Sequence, residues 1–170
     1  MTLDELNNLT VAEAIAAFTS CCAAERWVEK VVAARPYASV DELLQKADEF
    51  WWTMEEPDFL QAFTAHPKIG DVNSLRAKYA NTKAIASHEQ SGATGAPEAV
   101  LEALAAGNSA YEEKFGFIFI VFATGKSAGQ MLALLEQRLP NSREQEIRNA
   151  AENQMMITDL RIKKILGPAT

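Results

Sequence analysis

Apolar residues recur along this chain at intervals of three and four, and breaker residues interrupt them at short distances. A period near 3.6 predicts amphipathic helices. Leu3 to Asn8 forms a first short candidate, stopped by Asn7-Asn8. Thr10-Val11-Ala12-Glu13 then has the capping-box pattern, and Val11, Ile15 and Phe18 follow at helical spacing. The next helix is expected from about Ala23 to Ala34, with Trp27, Val31 and Val32 on its apolar side, and Arg35-Pro36 ends it. Ser39-Val40-Asp41-Glu42 is a second capping box, opening a helix that turns Leu43, Leu44, Ala47 and Phe50 toward the core. Glu56-Pro57-Asp58 begins another, whose Phe59, Leu60 and Phe63 lead to His66.

The second half continues the pattern. Leu75 to Tyr79 predicts one or two helical turns, and Lys83 to Ser91 a helix carrying Glu89, closed by the break Gly92 to Pro97. Pro97 suits a first helical position, and Val100, Leu101, Leu104, Ala105 and Tyr111 lead from it to Phe115. Ser127 to Leu139 reads as a further helix with Met131, Leu132, Leu134 and Leu135. The last and longest runs from about Arg143 to Leu166, stopped by Gly167-Pro168. One stretch disagrees. Phe115 to Ala123 is aromatic and β-branched, and alone it reads as a buried strand. No second strand candidate exists to pair with it, so the expectation is a buried extended crossover whose N–H and C=O groups need other partners, a polar ligand being one source. The whole pattern predicts an all-α fold: a single-domain compact bundle of about eight to nine helices, with one extended crossover near residues 115–123.

Composition narrows the function. At 170 residues the chain suits one domain, 1–170, burying roughly 70% of its unfolded surface without a disulfide or metal. A formal charge of −7 argues against nucleic-acid and anionic-membrane partners, which need a cationic stripe. A small anionic substrate needs only one well-placed Arg or Lys. Cys21 and Cys22 are helix neighbours pointing about 100° apart, too badly placed for a mutual disulfide, and are expected as two small buried thiols. No zinc-type spacing of Cys and His occurs, and no metal is expected. The N-terminal stretch lacks the charged and apolar regions of a signal peptide, and no run is apolar enough to span a bilayer, so a cytoplasmic location is expected. A homodimer through the first helices is left open.

Several motifs carry candidate chemistry. Gly125-Lys126-Ser127 resembles the end of a phosphate loop, but Ile120 stands where that loop needs Gly, leaving a turn with Ser127 as a helix cap. His88-Glu89 resembles half of a zinc-protease helix, yet position 92 is Gly. Trp51-Trp52 could stack a ligand, though core or interface packing is the better reading. His66 is different. Pro67 pushes it out of the α region, so the imidazole sits at a helix exit, aimed by backbone geometry. It either interacts with the helix dipole there or handles a proton near neutral pH. Glu89 is either a solvated helix residue or the group that fixes the His66 charge state or a substrate N–H, and Gln90 offers a donor and an acceptor to a urea-like edge. Arg161 lines up with Gln154, Thr158 and Ile165 along the last helix, at the border of its apolar face. Its five N–H donors need an internal carboxylate or a bound substrate.

His66-Pro67-x-Ile69-Gly70, then Glu89-Gln90-Ser91, then Asn108-x-x-Tyr111-x-x-Lys114-Phe115-Gly116-Phe117-x-Phe119-Ile120, and finally the helix bearing Arg161, resemble the 2-oxo-4-hydroxy-4-carboxy-5-ureidoimidazoline (OHCU) decarboxylases over nearly the whole chain. The resemblance implies a cofactor-free, all-helical enzyme of purine degradation that acts after urate oxidation and hydrolysis and converts OHCU to (S)-allantoin with loss of CO₂. It gives His66 as the catalytic histidine, oriented by Pro67, with Glu89 beside it in catalysis. Gln90 would help Glu89 hold the hydroxy-carboxy-ureido centre, Phe117, Ile118, Phe119 and Ile120 would wall the pocket, and Arg161 would meet the ring carbonyl. The chain departs from the family pattern at Ala86, where Ser is frequent and where Ser87 stands alongside, and at Ile118, where Pro is frequent. Two other readings remain: a non-catalytic helical protein-binding module using Trp51-Trp52 and the acidic surface, and an enzyme of this fold acting on a different ureido or hydantoin compound.

Overall fold

Most helices start where the chain offers an oxygen to otherwise unpaired N–H groups. In the computed structural model, which describes residues 1–67, 71–77 and 98–167, these are α1 (Leu3–Asn8), α2 (Val11–Thr19), α3 (Glu25–Ala33), α4 (Val40–Trp51), α5 (Glu56–Thr64), a helical stretch α6 at 72–77, α7 (Glu98–Phe115), α8 (Ala128–Arg138) and α9 (Arg143–Leu166). Among the described residues there is no strand, so the all-α expectation holds. The Thr10–Glu13 capping box forms reciprocally, with Glu13 N–H donating to Thr10 Oγ1 at 3.1 Å and Thr10 N–H to Glu13 Oε1 at 3.0 Å. The second expected box forms by half: Ser39 Oγ accepts from Glu42 N–H, but the Glu42 carboxylate reaches one residue further back and accepts from Ala38 N–H at 2.6 Å. Ser127 caps α8, with Gln130 closing the box. The expected helix from Lys83 to Ser91 and the break from Gly92 to Pro97 lie outside the described residues.

The described residues group into two compact units, Met1–His66 with Ile147–Thr170, and Pro67–Glu146. In the first, α3 packs against α2, α4 and α5. Its core holds Leu6, Phe18, Trp27, Val31, Leu43, Trp51 and Phe63, each at most 1% exposed. Burying an indole requires a partner for its N–H. Trp27 Nε1 donates to the Ala47 carbonyl and Trp51 Nε1 to the Ala151 carbonyl, both at 3.0 Å. Ala150 and Ala151 are fully buried. The tryptophan pair divides: Trp51 is core, while Trp52 is 40% exposed with the Arg148 guanidinium 4.5 Å above its ring. On α2 the interior side is Ala14 and Phe18, and both Val11 and Ile15 face solvent, Ile15 lying one residue round from Ala14.

In the second unit α7 packs on α8, closely enough that a Cβ on Gly107 would lie 2.5 Å from Leu135 Cδ2. Gly116, at φ +85°, turns the chain out of α7, a conformation that glycine adopts at no steric cost. The chain then runs non-helically to Ala123, with Phe117 and Ile120 buried and Ile118, Phe119, Val121 and Phe122 half-buried. A non-helical, largely buried segment therefore stands where the extended crossover was expected. Cationic side chains serve its backbone where a neighbouring strand would have done so. Arg138 donates to the Ile120 carbonyl at 2.7 Å, Lys126 to that of Phe122 at 2.6 Å and Arg143 to that of Phe115 at 3.2 Å. Arg138 is itself held by Glu146, which is wholly buried and also accepts from the Tyr111 hydroxyl and Asn141. No helix among the described residues is long and apolar enough to cross a membrane.

Candidate active site

α5 ends at Thr64, and His66 N–H closes the last turn on the Phe63 carbonyl at 3.2 Å. Pro67 follows and is exposed, while His66 is half-buried. This is the helix-exit placement that the His-Pro pair predicts. The ring does not simply answer the helix dipole. Its Nε2 lies 2.5 Å from the Oε1 of Gln154 on α9, a side chain only 1% exposed.

Gln154 continues into a polar line along α9. Its Nε2 donates to Thr158 Oγ1 at 3.1 Å, and that hydroxyl lies 2.8 Å from the Gln154 carbonyl and 3.4 Å from the Cys21 carbonyl. Arg161, one turn further, is half-buried and donates to the same Cys21 carbonyl at 3.3 Å. Among the described residues this carbonyl is its hydrogen-bond acceptor, and no carboxylate pairs with it there. The Cys21–Cys22 corner after α2 therefore contributes through its backbone. Both thiols are buried, and burial pushes each pKa up to about 11, so neither is poised as a nucleophile.

Burial holds the His66 pKa below its ordinary value; the bond to Gln154 opposes this, and the positive charge of Arg161 adds to it. The ring is accordingly neutral near neutral pH, one nitrogen carrying hydrogen and the other a lone pair. A neutral, half-buried imidazole beside a cation can accept a proton from an anionic substrate that the same cation attracts.

Within the first unit the structure thus brings together His66, Gln154, Thr158 and Arg161. Phe117, Ile118, Phe119 and Ile120 belong to the second unit, on the crossover clipped by Arg138. Ala86, Ser87, Glu89 and Gln90 lie outside the described residues, as does His88. Gln154 was not among the expected site residues, although its helical register with Thr158 and Arg161 is visible in the sequence. Contact with a residue 88 positions earlier is what singles it out.

A family profile for OHCU decarboxylase matches residues 7–163 of this sequence. The chain belongs to that family. Among curated OHCU decarboxylase relatives, the 2-oxo-4-hydroxy-4-carboxy-5-ureidoimidazoline decarboxylase of Haloferax volcanii is 27% identical, the match covering 95% of this chain and 94% of that protein. The uric acid degradation bifunctional protein TTL of Arabidopsis thaliana is 31% identical across 86% of this chain. That match takes in 45% of the Arabidopsis protein, so this chain spans less than half the length of its bifunctional relative. Among solved structures, that of an OHCU decarboxylase in the presence of (S)-allantoin superimposes with a TM-score of 0.71 at 29% identity, covering 89% of this chain and 97% of the other. The OHCU decarboxylase fold and the all-helical architecture described above therefore agree.

Proposed function

We propose that this chain decarboxylates OHCU to (S)-allantoin and CO₂ in urate degradation, in the cytoplasm and without a cofactor. The supporting observation is His66: a half-buried imidazole, bonded to a buried helix amide and lying in the field of Arg161, within a family match that spans residues 7–163. The substrate carries hydroxyl and carboxylate together on C4, next to a C5=N bond. When the bond from C4 to the carboxylate breaks, its electron pair forms C4=C5 and the C=N pair moves to nitrogen, which takes a proton. Loss of the hydroxyl proton and protonation of one face of C5 then give the C4 carbonyl and the S centre. The ring is its own electron sink, so the reaction asks the protein for placement and proton handling.

In this reading His66 takes the proton of the hydroxy-carboxy centre, with Pro67 fixing its exit angle. Glu89 orients the ureido side, Gln90 meets its donor and acceptor edge, and Ala86 and Ser87 border that subsite. Phe117, Ile118, Phe119 and Ile120 supply an apolar wall that disfavours the carboxylate charge, and Arg161 meets the ring carbonyl. The test generates OHCU in place from urate, with urate oxidase and hydroxyisourate hydrolase, and follows optical activity. Spontaneous decay gives racemic allantoin, so rapid appearance of a one-handed signal is the expected result. His66→Ala should lower turnover on the order of 10²–10⁴-fold. Near-normal turnover in that variant would remove His66 from the chemistry, and no acceleration by the folded wild-type chain would remove the decarboxylase reading.

A further inference from the structure

We propose that Gln154 is a positioning residue for His66: its side-chain amide, turned by Thr158, holds the imidazole in the tautomer with hydrogen on Nε2 and leaves Nδ1 as the basic nitrogen. The argument follows one hydroxyl hydrogen. Thr158 has a single O–H, and the nearest acceptor is the Gln154 backbone carbonyl at 2.8 Å, four residues back on the same helix, with the Cys21 carbonyl at 3.4 Å on the same oxygen. Both are acceptors only, and the 2.8 Å contact to the carbonyl four residues back, shorter than the 3.1 Å contact to the Gln154 side chain, is where the hydroxyl hydrogen lies. Toward the Gln154 side chain Thr158 can therefore only accept. The amide nitrogen must face Thr158, as it does at 3.1 Å, and the amide oxygen must face His66. An amide oxygen donates nothing. The imidazole nitrogen 2.5 Å away, Nε2, must carry the hydrogen.

The arrangement is stiff. Gln154 and Thr158 are each 1% exposed, so water cannot replace either partner at low cost, and flipping the amide would oblige the Thr158 hydroxyl to leave the Gln154 carbonyl and His66 to change tautomer at the same time. Unlike a carboxylate, an amide has no charge to stabilise an imidazolium strongly. It can choose the tautomer and still leave the ring neutral, which is the state burial and Arg161 also favour. The nitrogen able to take the substrate proton is then Nδ1. This inference rests on reading His66 as the group that handles that proton.

The test reads the tautomer directly. The chain has two histidines, so His88→Asn leaves His66 as the sole imidazole. Nitrogen-15 shifts of the histidine-labelled protein at mildly alkaline pH should show a pyrrole-type Nε2 and a pyridine-type Nδ1. In Gln154→Leu, which cannot accept, the two nitrogens should average toward a mixed population, with kcat falling about tenfold or more, as expected when a base loses its tautomer, and KM moving less than about threefold. Gln154→Glu still accepts, so the Nε2–H tautomer should persist; its charge favours imidazolium, and the acid limb of the kcat profile should move to higher pH. A purely structural role for Gln154 would leave the nitrogen shifts unmoved. A wild-type ring with hydrogen on Nδ1 would overturn the proposal, and this holds whether or not Gln154→Leu folds. An unchanged spectrum in a folded Gln154→Leu would overturn it equally. Absence of OHCU turnover alongside a Gln154-dependent Nε2–H would instead sink the decarboxylase reading and leave the tautomer assignment standing.

Discussion

Asp48 on α4 and Asp159 on α9 each bury one carboxylate oxygen that accepts no hydrogen bond among the described residues. Burial, and then the charge of Asp48, raises the Asp159 pKa from 3.8 to about 6, with Lys163 pulling the other way; burial raises that of Asp48 as well. A carboxyl whose folded pKa lies above its unfolded one contributes stability below pH 4, and that contribution is lost as the pH rises through about 6. At pH 7 the native state therefore holds an Asp159 charge that it disfavours. Asp159→Asn removes the charge and keeps the shape, and should stabilise the chain by on the order of 1 kcal/mol at pH 7, after allowance for screening of this half-buried group. The gain should narrow as the pH is lowered toward 5. Urea denaturation at both values checks this, and a gain independent of pH would assign the effect to something other than titration.

At the scale of the element, the crossover from Gly116 to Ala123 shows what a local pattern can and cannot reveal. Its aromatic and β-branched composition, with no pairing strand elsewhere, made an extended buried segment legible. The helix starts were legible for a similar reason, since a capping box such as Thr10–Glu13 closes over three residues. The clip that fastens the crossover was not. Arg138, Glu146 and Tyr111 come together across separations of 8 to 35 residues, and each alone reads as an ordinary helix residue. Because this ion pair is buried, removing one partner strands the other. Glu146→Gln should cost roughly 3 kcal/mol or more, leaving Arg138 uncompensated. Glu152→Gln, which breaks the exposed Arg148–Glu152 pair on α9, should stay within about 0.5 kcal/mol. Equal losses in the two variants would mean that Arg138 finds other support.

For the molecule as a whole, helical periodicity sufficed for the architecture, because each amphipathic stripe carries its own evidence. It also placed Gln154, Thr158 and Arg161 on one line of α9. That Gln154 faces His66 depends on how α5 and α9 meet, and no local spacing encodes that. The predicted single domain has a direct thermodynamic test. Trp27, Trp51 and Trp52 are all the tryptophans of the chain, and all lie in the first compact unit. Far-ultraviolet circular dichroism, by contrast, samples every helix. If residues 1–170 unfold as one cooperative domain, fluorescence and dichroism transitions in urea should coincide; a displaced fluorescence transition would mean separately stable units. The placement of the indoles therefore gives the chain a one-sided optical reporter. Trp27 and Trp51, sealed against carbonyl oxygens, should emit toward the blue, while Trp52 under the Arg148 guanidinium should be the one that iodide quenches first. Light from this protein reports on the unit that holds His66 and is blind to the one that holds the crossover.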